Sequence, residues 1–172
     1  MGTSDPANKP WTQEKIVEIN PKTVLDVGAG EGVYLNLIRE SLGSNVLVNA
    51  VEVWQPYIDQ FNLIHRYDRV FKSDVREMKD FEYDLVILGD ILEHMSEDEA
   101  VMLWHKISLQ AKYAIISIPI IHYHQDALNG NPYEIHVEED WDTEKVLKKF
   151  HSIYEHKEFL VTGVFIAKFR SK

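Results

Sequence analysis

Residues 24–32 read Val-Leu-Asp-Val-Gly-Ala-Gly-Glu-Gly, and this stretch indicates how the chain folds. Val24, Leu25 and Val27 predict a short buried strand that ends at Gly28. Glycines directly after a strand let the backbone turn sharply and approach a ligand closely, and the helix predicted to follow offers unpaired N–H groups in its first turn. The stretch therefore predicts a ligand-binding turn at the head of a parallel sheet.

A carboxylate at the end of the next predicted strand, in addition to Asp26, limits which ligands the turn can bind. Glu52 ends the next predicted strand 24 residues after Gly28, close to the spacing of about 20 at which an acidic residue binds ribose hydroxyls. Nicotinamide-binding turns follow G-x-G-x-x-G, and Val33 stands where the third glycine is needed. Asp26, inside the first strand, is a poor neighbour for a diphosphate and a good one for an ammonium group. These residues favour S-adenosylmethionine over a nicotinamide dinucleotide.

Strand-like and helix-like segments alternate along most of the chain beyond this turn. Further strands are predicted at residues 46–53, 70–71, 84–89 and 114–118. A helix is predicted through residues 34–42 with Gly43 as its C-terminal cap, and another begins at Ser96. Pro56 opens a further helix, which we expect to bury one face made of Tyr57, Ile58, Phe61 and Ile64. Strands that are apolar on both faces are typical of parallel sheets covered by helices on both sides, which predicts an α/β fold.

The two ends of the chain depart from this alternation. Residues 1–10 are rich in proline and small polar residues and predict a flexible leader, and residues 11–172 predict a single domain. After a helix expected at about residues 143–150, two strands adjoin at residues 152–157 and 159–169. Because their connection is too short for a helical crossover, these strands must form an antiparallel hairpin.

Residues 22–169 resemble the class I S-adenosylmethionine-dependent methyltransferases, and among them small bacterial or phage-type members. Three features carry the resemblance: the acid-containing strand with its glycine turn, the segment Gly-Asp-Ile-Leu-Glu-His at residues 89–94, and Asn-Pro-Tyr-Glu-x-His at residues 131–136. The resemblance implies a Rossmann-like three-layer αβα sandwich around a mostly parallel seven-stranded sheet of order 3-2-1-4-5-7-6, with the antiparallel hairpin at the C-terminus. It also implies an enzyme that transfers a methyl group.

The resemblance further implies where S-adenosylmethionine binds. The glycine turn wraps the methionine end and the ribose, Glu52 holds the ribose hydroxyls, and Asp74 faces the adenine amino group. The implied cofactor-binding residues are Asp26, Gly28, Ala29, Gly30, Glu52, Val53, Asp74, Val75 and Asp90. Two alternatives stay open at this point. Asp74 can instead cap a short helix over residues 75–78, and Asp90 and Glu93 can instead cap the helix that begins near Ser96.

The long loop over residues 119–140 leaves the fifth strand at the edge of the sheet where ligands bind, and it carries three histidines. One interpretation is a metal site built from His122, His124, Asp126 and His136. A second is a general base for a hydroxyl acceptor, because the pKa of histidine lies near neutrality; the candidates are His136, His122 and His94. A third is that the histidines only shape the loop. Transfer from a sulfonium requires no metal, so we assign no metal ligands from the sequence.

Charge and composition limit the partners. The 28 acidic residues against 18 Lys and Arg give a net charge of −10, which argues against general nucleic-acid binding and favours a small-molecule or sugar-type acceptor at an oxygen or nitrogen atom. The chain has no cysteine, no apolar run long enough to span a membrane and no apolar signal core at residues 1–10. These features predict a cytoplasmic protein.

Two other function classes remain open on the sequence. One is a protein that binds S-adenosylmethionine without catalysis, and the other is an NAD-dependent oxidoreductase. Residues 1–22 offer at most one short helix as a cover for the site. The site is therefore expected to be open, completed by a second subunit in a homodimer, or covered by the histidine loop.

Overall fold

The computed structural model describes residues 5–169. Within that range one sheet is formed by β1 (Thr23–Val27), β2 (Leu47–Val51), β3 (Arg69–Phe71), β4 (Leu85–Gly89), β5 (Tyr113–Pro119), β6 (Ile153–Glu158) and β7 (Thr162–Lys168). The strand order is β3-β2-β1-β4-β5-β7-β6. The first five strands are parallel, and β7 runs antiparallel to both β5 and β6. The predicted strand order and hairpin are confirmed.

Helices cover both faces of this sheet. Among the described residues the α-helices are α1 (Lys9–Ile19), α2 (Val33–Leu42), α3 (Gln55–Gln60), α4 (Leu63–Arg66), α5 (Glu97–Ser108) and α6 (Thr143–Lys149). Helices α1 to α4 pack on one face, and α5 and α6 pack on the other. None of the helices in the described part of the chain has both the length and the apolar character that a bilayer span needs.

Side chains of the central strands alternate between two apolar cores. In β4, Leu85 and Ile87 pack against the layer of α1 to α4, whereas Val86 and Leu88 pack against α5 and α6. All four side chains are completely buried. A parallel strand that is covered on both faces has to be apolar at every position, which explains why the α/β class is visible in the sequence.

Local capping signals place most helix ends as predicted. Ser96 caps α5 through a reciprocal capping box with Glu99, so neither Asp90 nor Glu93 serves as that cap. The helix that begins near Pro56 is the exception, because Asn62 adopts a left-handed conformation with φ of 52° and separates α3 from α4. As a result Ile64 is 63% exposed and does not extend the predicted buried face.

Of the segment predicted as a flexible leader, residues 6–10 form helical structure, and residues 1–4 lie outside the described range. Residues Pro6–Asn8 form a 3-10 helix that leads directly into α1. Asn8 is completely buried, and its side-chain amide donates to Ser117 Oγ at 3.1 Å and to Thr162 Oγ1 at 2.9 Å. These bonds attach the segment to the carboxyl-terminal end of β5 and to β7. The polar composition of residues 1–10 suggested a flexible leader. The partners of Asn8, Ser117 and Thr162, lie more than 100 residues away, so no neighbouring residue indicates that Asn8 is bound.

We expect Asn8→Ala to lower the free energy of unfolding by about 1–3 kcal/mol, because the change removes two buried hydrogen bonds and leaves two hydroxyl groups short of a partner. Urea denaturation of purified protein measures this. The control is Asn45→Ala at an exposed asparagine, which should stay within about 0.5 kcal/mol of the unmodified protein. Equal stability of the two variants would show that the segment is not fastened in this way.

Candidate active site

The predicted site residues gather at the carboxyl-terminal edge of the sheet, between β1 and β4. This is the place where the strand order reverses, because β2 and β3 lie to one side of β1 while β4 and β5 lie to the other. Ligands of open α/β sheets bind in the crevice at such a reversal. The glycine turn follows β1, Glu52 follows β2, and residues 90–94 follow β4, so the topology brings three separate motifs to one edge.

The backbone of the glycine turn excludes side chains at its first glycine. Gly28 has φ of +69°, and a Cβ atom there would lie 2.0 Å from the Cδ1 atom of Ile91. Its N–H donates to the carbonyl of Val51 at 2.8 Å, which holds the turn against β2. Gly30 also has a positive φ, +46°, and a Cβ atom there would make only an ordinary van der Waals contact, 3.8 Å from the carbonyl oxygen of Gly28.

Asp26 is a completely buried carboxyl group just before the turn. The hydroxyl of Tyr67 donates to its Oδ2 atom at 2.6 Å, while Oδ1 has no hydrogen-bond partner among the described residues. Burial raises the pKa of Asp26 to about 7, against the opposing effect of the Tyr67 hydrogen bond. The second oxygen therefore has unused hydrogen-bonding capacity in a buried position.

Glu52 lies against the glycine turn, as the spacing between the two motifs suggested. Its Oε2 atom accepts the N–H of Gly30 at 3.1 Å, and Oε1 accepts the N–H of Trp54 at 2.8 Å. Burial raises the pKa of Glu52, although hydrogen bonds from the backbone N–H groups of Trp54, Gly30 and Val53 oppose that shift. The carboxylate is thus fixed beside the turn, with remaining lone pairs for hydroxyl donors.

The structure favours the capping alternative for Asp74. Its carboxylate caps the 3-10 helix Val75–Glu77 by accepting the N–H of Arg76 at 2.8 Å. The same carboxylate pairs with the guanidinium of Arg76, with Nε 3.0 Å from each oxygen and Nη2 2.5 Å from Oδ2. These bonds occupy the carboxylate, and Val75 is buried. A contact from Asp74 or Val75 to adenine stays a prediction.

Asp90 follows β4 in a left-handed conformation with φ of 56° and connects the site to the N-terminal segment. Its Oδ1 atom accepts the hydroxyl of Ser117 at 3.2 Å, and Ser117 in turn binds Asn8. Lys9 is also buried here, where its ammonium donates to the Tyr34 hydroxyl at 2.9 Å. Burial lowers the pKa of Lys9, and the charges of Asp90, Asp5 and Asp26 oppose that shift. Lys9 could not be recognised as a site residue from the sequence, because it lies within the predicted leader.

Two of the three histidines in the loop are exposed at the surface, and the third is buried. His122 and His124 are exposed, with Nδ1 of His122 lying 2.7 Å from Asp140 and Nδ1 of His124 lying 2.6 Å from Glu139. His136 is buried instead, and its ring Nδ1 lies 2.7 Å from the carbonyl of Tyr123. The metal interpretation, with His122, His124, Asp126 and His136 as ligands, is therefore not supported, because His136 is buried while His122 and His124 are exposed, and we do not carry His122 into the site.

His136 meets two residues of the segment after β4, Glu93 and His94. The rings of His136 and His94 lie edge to face with centroids 5.0 Å apart, and one potential ligand atom from each of the three side chains lies within 4.8 Å of the others. Burial lowers the pKa of both histidines and raises that of Glu93 well above its usual value. We call this group the Glu93–His94–His136 cluster.

The loop also reaches the side of the site where Glu52 lies. The ring of Tyr133 lies 6.3 Å from that of Trp54, and the charge of Glu134 acts on both Glu52 and Tyr57. At its other end the loop is fastened by the N–H groups of Val137 and Glu138, which donate to the carbonyl of Glu93 at 2.8 Å and 3.1 Å. The loop therefore covers the edge from Glu52 to Glu93, which is one of the three arrangements expected from the sequence.

Comparison with protein-family models and with curated proteins gives no match to this chain. Solved structures do share its fold. A S-adenosylmethionine-dependent methyltransferase from Clostridium acetobutylicum superposes with a TM-score of 0.70 at 14% identity, over 95% of this chain and 91% of that one. A putative O-methyltransferase from Nostoc punctiforme has a TM-score of 0.69 at 16% identity over 94% of this chain, which spans only 56% of the Nostoc protein.

A third structure holds ligands. The 1,6-didemethyltoxoflavin-N1-methyltransferase from Burkholderia thailandensis, solved with 1,6-didemethyltoxoflavin and S-adenosylhomocysteine bound, has a TM-score of 0.68 at 17% identity, over 97% of this chain and 80% of that one. Similarity at such low identity establishes the architecture. The chain has the class I S-adenosylmethionine-dependent methyltransferase fold.

We expect Gly28→Ala to destabilise the protein more than a positive φ alone explains. A left-handed non-glycine residue costs about 1–2 kcal/mol, and the clash with Ile91 adds about 1–3 kcal/mol in a packed site. The control is Gly43→Ala, because Gly43 has φ of +74° and nothing within 4 Å of its Cβ position. Thermal and urea unfolding compare the two variants. Equal losses would mean that Ile91 does not close the turn.

Proposed function

We propose that the protein is an S-adenosylmethionine-dependent methyltransferase that acts on an oxygen or nitrogen atom of a small-molecule acceptor. The observation that carries the proposal is the pair of buried carboxyl groups, Asp26 and Glu52, on either side of a glycine turn at the strand-order reversal of this fold. Bound S-adenosylmethionine would supply a methyl group already activated by its sulfonium charge.

The residues present fit this cofactor. The free Oδ1 atom of Asp26 can accept the ammonium group of the methionine moiety, and Glu52 can accept the ribose hydroxyls without leaving its backbone donors. No side chain of the described residues lies within 4 Å of a Cβ atom placed at Gly30, so this part of the turn is not crowded. The charges of Asp90 and Glu134 act on Glu93 at this edge, and acidic groups here would favour a cationic sulfonium over the uncharged thioether of the product.

What the chain itself contributes to transfer is alignment, exclusion of water and removal of a proton. The histidine loop covers the edge of the sheet, so it can exclude water and hold the acceptor against the cofactor. Holding reacting groups in line contributes on the order of several kcal/mol to such displacements. A hydroxyl acceptor also needs a base, and His136 or His94, kept neutral by burial, can take its proton.

The surface charge supports a small acceptor. A net charge of −10 disfavours nucleic-acid binding, and the histidine loop is hydrogen-bonded to the Glu93 backbone beside the site. An NAD-dependent reaction is less well supported, because Gly32 serves as the N-cap of α2 and Val33 occupies the next position. A diphosphate would also have to lie beside the buried carboxyl of Asp26.

Calorimetric titration with S-adenosylhomocysteine and, separately, with NADH tests the cofactor. We expect S-adenosylhomocysteine to bind with 1:1 stoichiometry and Glu52→Gln to bind it about 10–100-fold more weakly, because charge-assisted hydrogen bonds contribute about 1.5–3 kcal/mol. Glu31→Gln is the matched control, since Glu31 is an exposed glutamate in the same turn. Tighter binding of NADH, or no binding of S-adenosylhomocysteine at millimolar concentration, would reject the proposal.

The pH dependence of binding tests the role of Asp26. Because burial raises the pKa of Asp26 to about 7, the group is protonated below that pH and can pair with an ammonium group only above it. Affinity for S-adenosylhomocysteine should therefore rise about tenfold from pH 6 to pH 8. Asp26→Asn should bind weakly and show no such rise.

The raised pKa of Asp26 also makes the stability of the ligand-free protein depend on pH, but stability falls as the pH rises whereas affinity increases. Without ligand, ionisation of the buried Asp26 is unfavourable, so the wild-type protein should lose stability relative to Asp26→Asn as the pH rises through 7. Urea unfolding at pH 6 and pH 8 measures the difference. A pH-independent affinity together with a pH-independent stability difference would show that Asp26 does not titrate in this range.

Transfer of radiolabel distinguishes an enzyme from a protein that only binds the cofactor. We expect methyl-labelled S-adenosylmethionine to label a low-molecular-mass component of a deproteinised cell extract when the wild-type protein is added, and Glu52→Gln to transfer much less label. Tight binding of the cofactor with no transfer to any fraction would favour the non-catalytic alternative.

A further inference from the structure

We propose that the Glu93–His94–His136 cluster binds one divalent transition-metal ion. The three side chains come from two distant parts of the chain, the 3-10 helix Leu92–His94 after β4 and the histidine loop. Each offers a ligand atom, and these atoms all lie within 4.8 Å of one another, which leaves room for an ion between them with small side-chain adjustments. The metal interpretation drawn from the sequence had named a different set of residues.

Glu93 supplies an observation independent of the clustering. Its side chain is buried, the residue being only 2% exposed, and its Oε2 atom has no hydrogen-bond partner among the described residues. Asp90 and Glu134 are further carboxyl groups whose charges act on Glu93. A buried carboxylate in such surroundings is unfavourable unless a cation compensates it. A metal ion at Oε2 would provide that compensation.

Both histidines engage a backbone carbonyl through Nδ1, which leaves Nε2 as the nitrogen that can bind a metal. Nδ1 of His94 lies 3.1 Å from the carbonyl of Ile135, and Nδ1 of His136 lies 2.7 Å from the carbonyl of Tyr123. A carbonyl can only accept, so each Nδ1 carries the proton and each Nε2 of a neutral ring keeps its lone pair. A ligand histidine that donates its other N–H to a carbonyl is the common arrangement in protein metal sites.

The backbone holds the two parts of the site together. The N–H groups of Val137 and Glu138, directly after His136, donate to the carbonyl of Glu93 at 2.8 Å and 3.1 Å. The loop that brings His136 is therefore fixed to the same turn that carries the other two ligands.

The donor set indicates which metals fit. Two imidazole nitrogens and one carboxylate oxygen suit Zn²⁺, Co²⁺ or Fe²⁺, whereas Mg²⁺ and Ca²⁺ prefer oxygen ligands throughout. Three protein ligands also leave coordination positions open for water or for an oxygen of the acceptor.

A role for the metal in methyl transfer rests on the proposed function, whereas binding of the metal does not. Coordination lowers the pKa of a hydroxyl, so the acceptor can release its proton to solvent. The acceptor oxygen then bonds to the methyl carbon while the carbon–sulfur bond breaks and sulfur keeps the electron pair. When the metal is bound, His94 and His136 act as ligands and not as bases, because coordination uses the nitrogen lone pairs that would accept a proton.

Titration of untagged, chelator-treated protein with Co²⁺ tests the site, with visible absorption and calorimetry as readouts and Zn²⁺ as competitor. We expect one Co²⁺ per chain and displacement of it by Zn²⁺. Glu93→Gln and His136→Ala should each weaken Co²⁺ binding at least about tenfold, since even outer-shell changes at metal sites cost about 10–100-fold. Circular dichroism and thermal unfolding confirm that each variant is folded. If Glu93→Gln does not fold, the Co²⁺ affinity of His136→Ala, a change in the loop, decides the outcome.

The double variant His122→Ala/His124→Ala is the matched control, because these two histidines lie in the same loop and pair with exposed or half-buried carboxylates outside the cluster. It should bind Co²⁺ as the wild type does. The proposal is overturned if the wild-type protein binds no Co²⁺ at millimolar concentration, if the cluster variants bind it unchanged, or if only the control loses it. The titration contains neither cofactor nor acceptor, so Co²⁺ binding without S-adenosylhomocysteine binding would leave the metal site standing and reject the methyltransferase.

Discussion

Burial of carboxyl groups at one edge of the sheet is the constraint on which the site depends. Asp26, Glu52 and Glu93 are almost fully removed from water, and Asp26 and Glu93 each keep one oxygen without a hydrogen-bond partner among the described residues. Burying ionised groups opposes folding unless cations or hydrogen bonds compensate. Such an edge is adapted to cationic ligands, and the ammonium and sulfonium of a methyl donor, together with a divalent metal, would meet that requirement.

The fold provides this edge through elements that are stable for other reasons. Apolar strands covered on both faces form the parallel sheet, and the reversal of strand order leaves a crevice between the ends of β1 and β4. Asn8 then fastens the N-terminal segment to β5, which places Lys9 within the electrostatic reach of Asp26 and Asp90. The loop that carries His136 is fastened to the backbone of Glu93 on the other side.

Features encoded by local patterns could be predicted from the sequence. The glycine turn, the Ser96 cap and the doubly apolar strands each depend on neighbouring residues, so the fold and the strand order followed from them and from the family resemblance. Glu52 could be placed because its spacing from Gly28 reflects one strand-helix-strand unit. Asp74 shows the limit of such reasoning, since its adjacent partner Arg76 occupies it in the structure.

Residues that enter the site through long-range contacts could not be predicted. Tyr67 reaches Asp26 from 41 positions away, and His136 reaches His94 only because the loop folds back onto the turn after β4. The three loop histidines look equivalent in the sequence, and burial alone separates His136 from the other two. Lys9 and Asn8 could not be recognised in the sequence, because the polar residues around them have the composition of a flexible terminus.

A crystal structure of the protein with S-adenosylhomocysteine would show directly whether the two buried carboxyl groups hold the cofactor. We predict that the ligand's amino nitrogen lies within hydrogen-bonding distance of Asp26 Oδ1, or is joined to it by one water, and that both ribose hydroxyls bind Glu52. A ligand that lies away from the glycine turn, or an Asp26 oxygen that remains unpartnered in the complex, would contradict it.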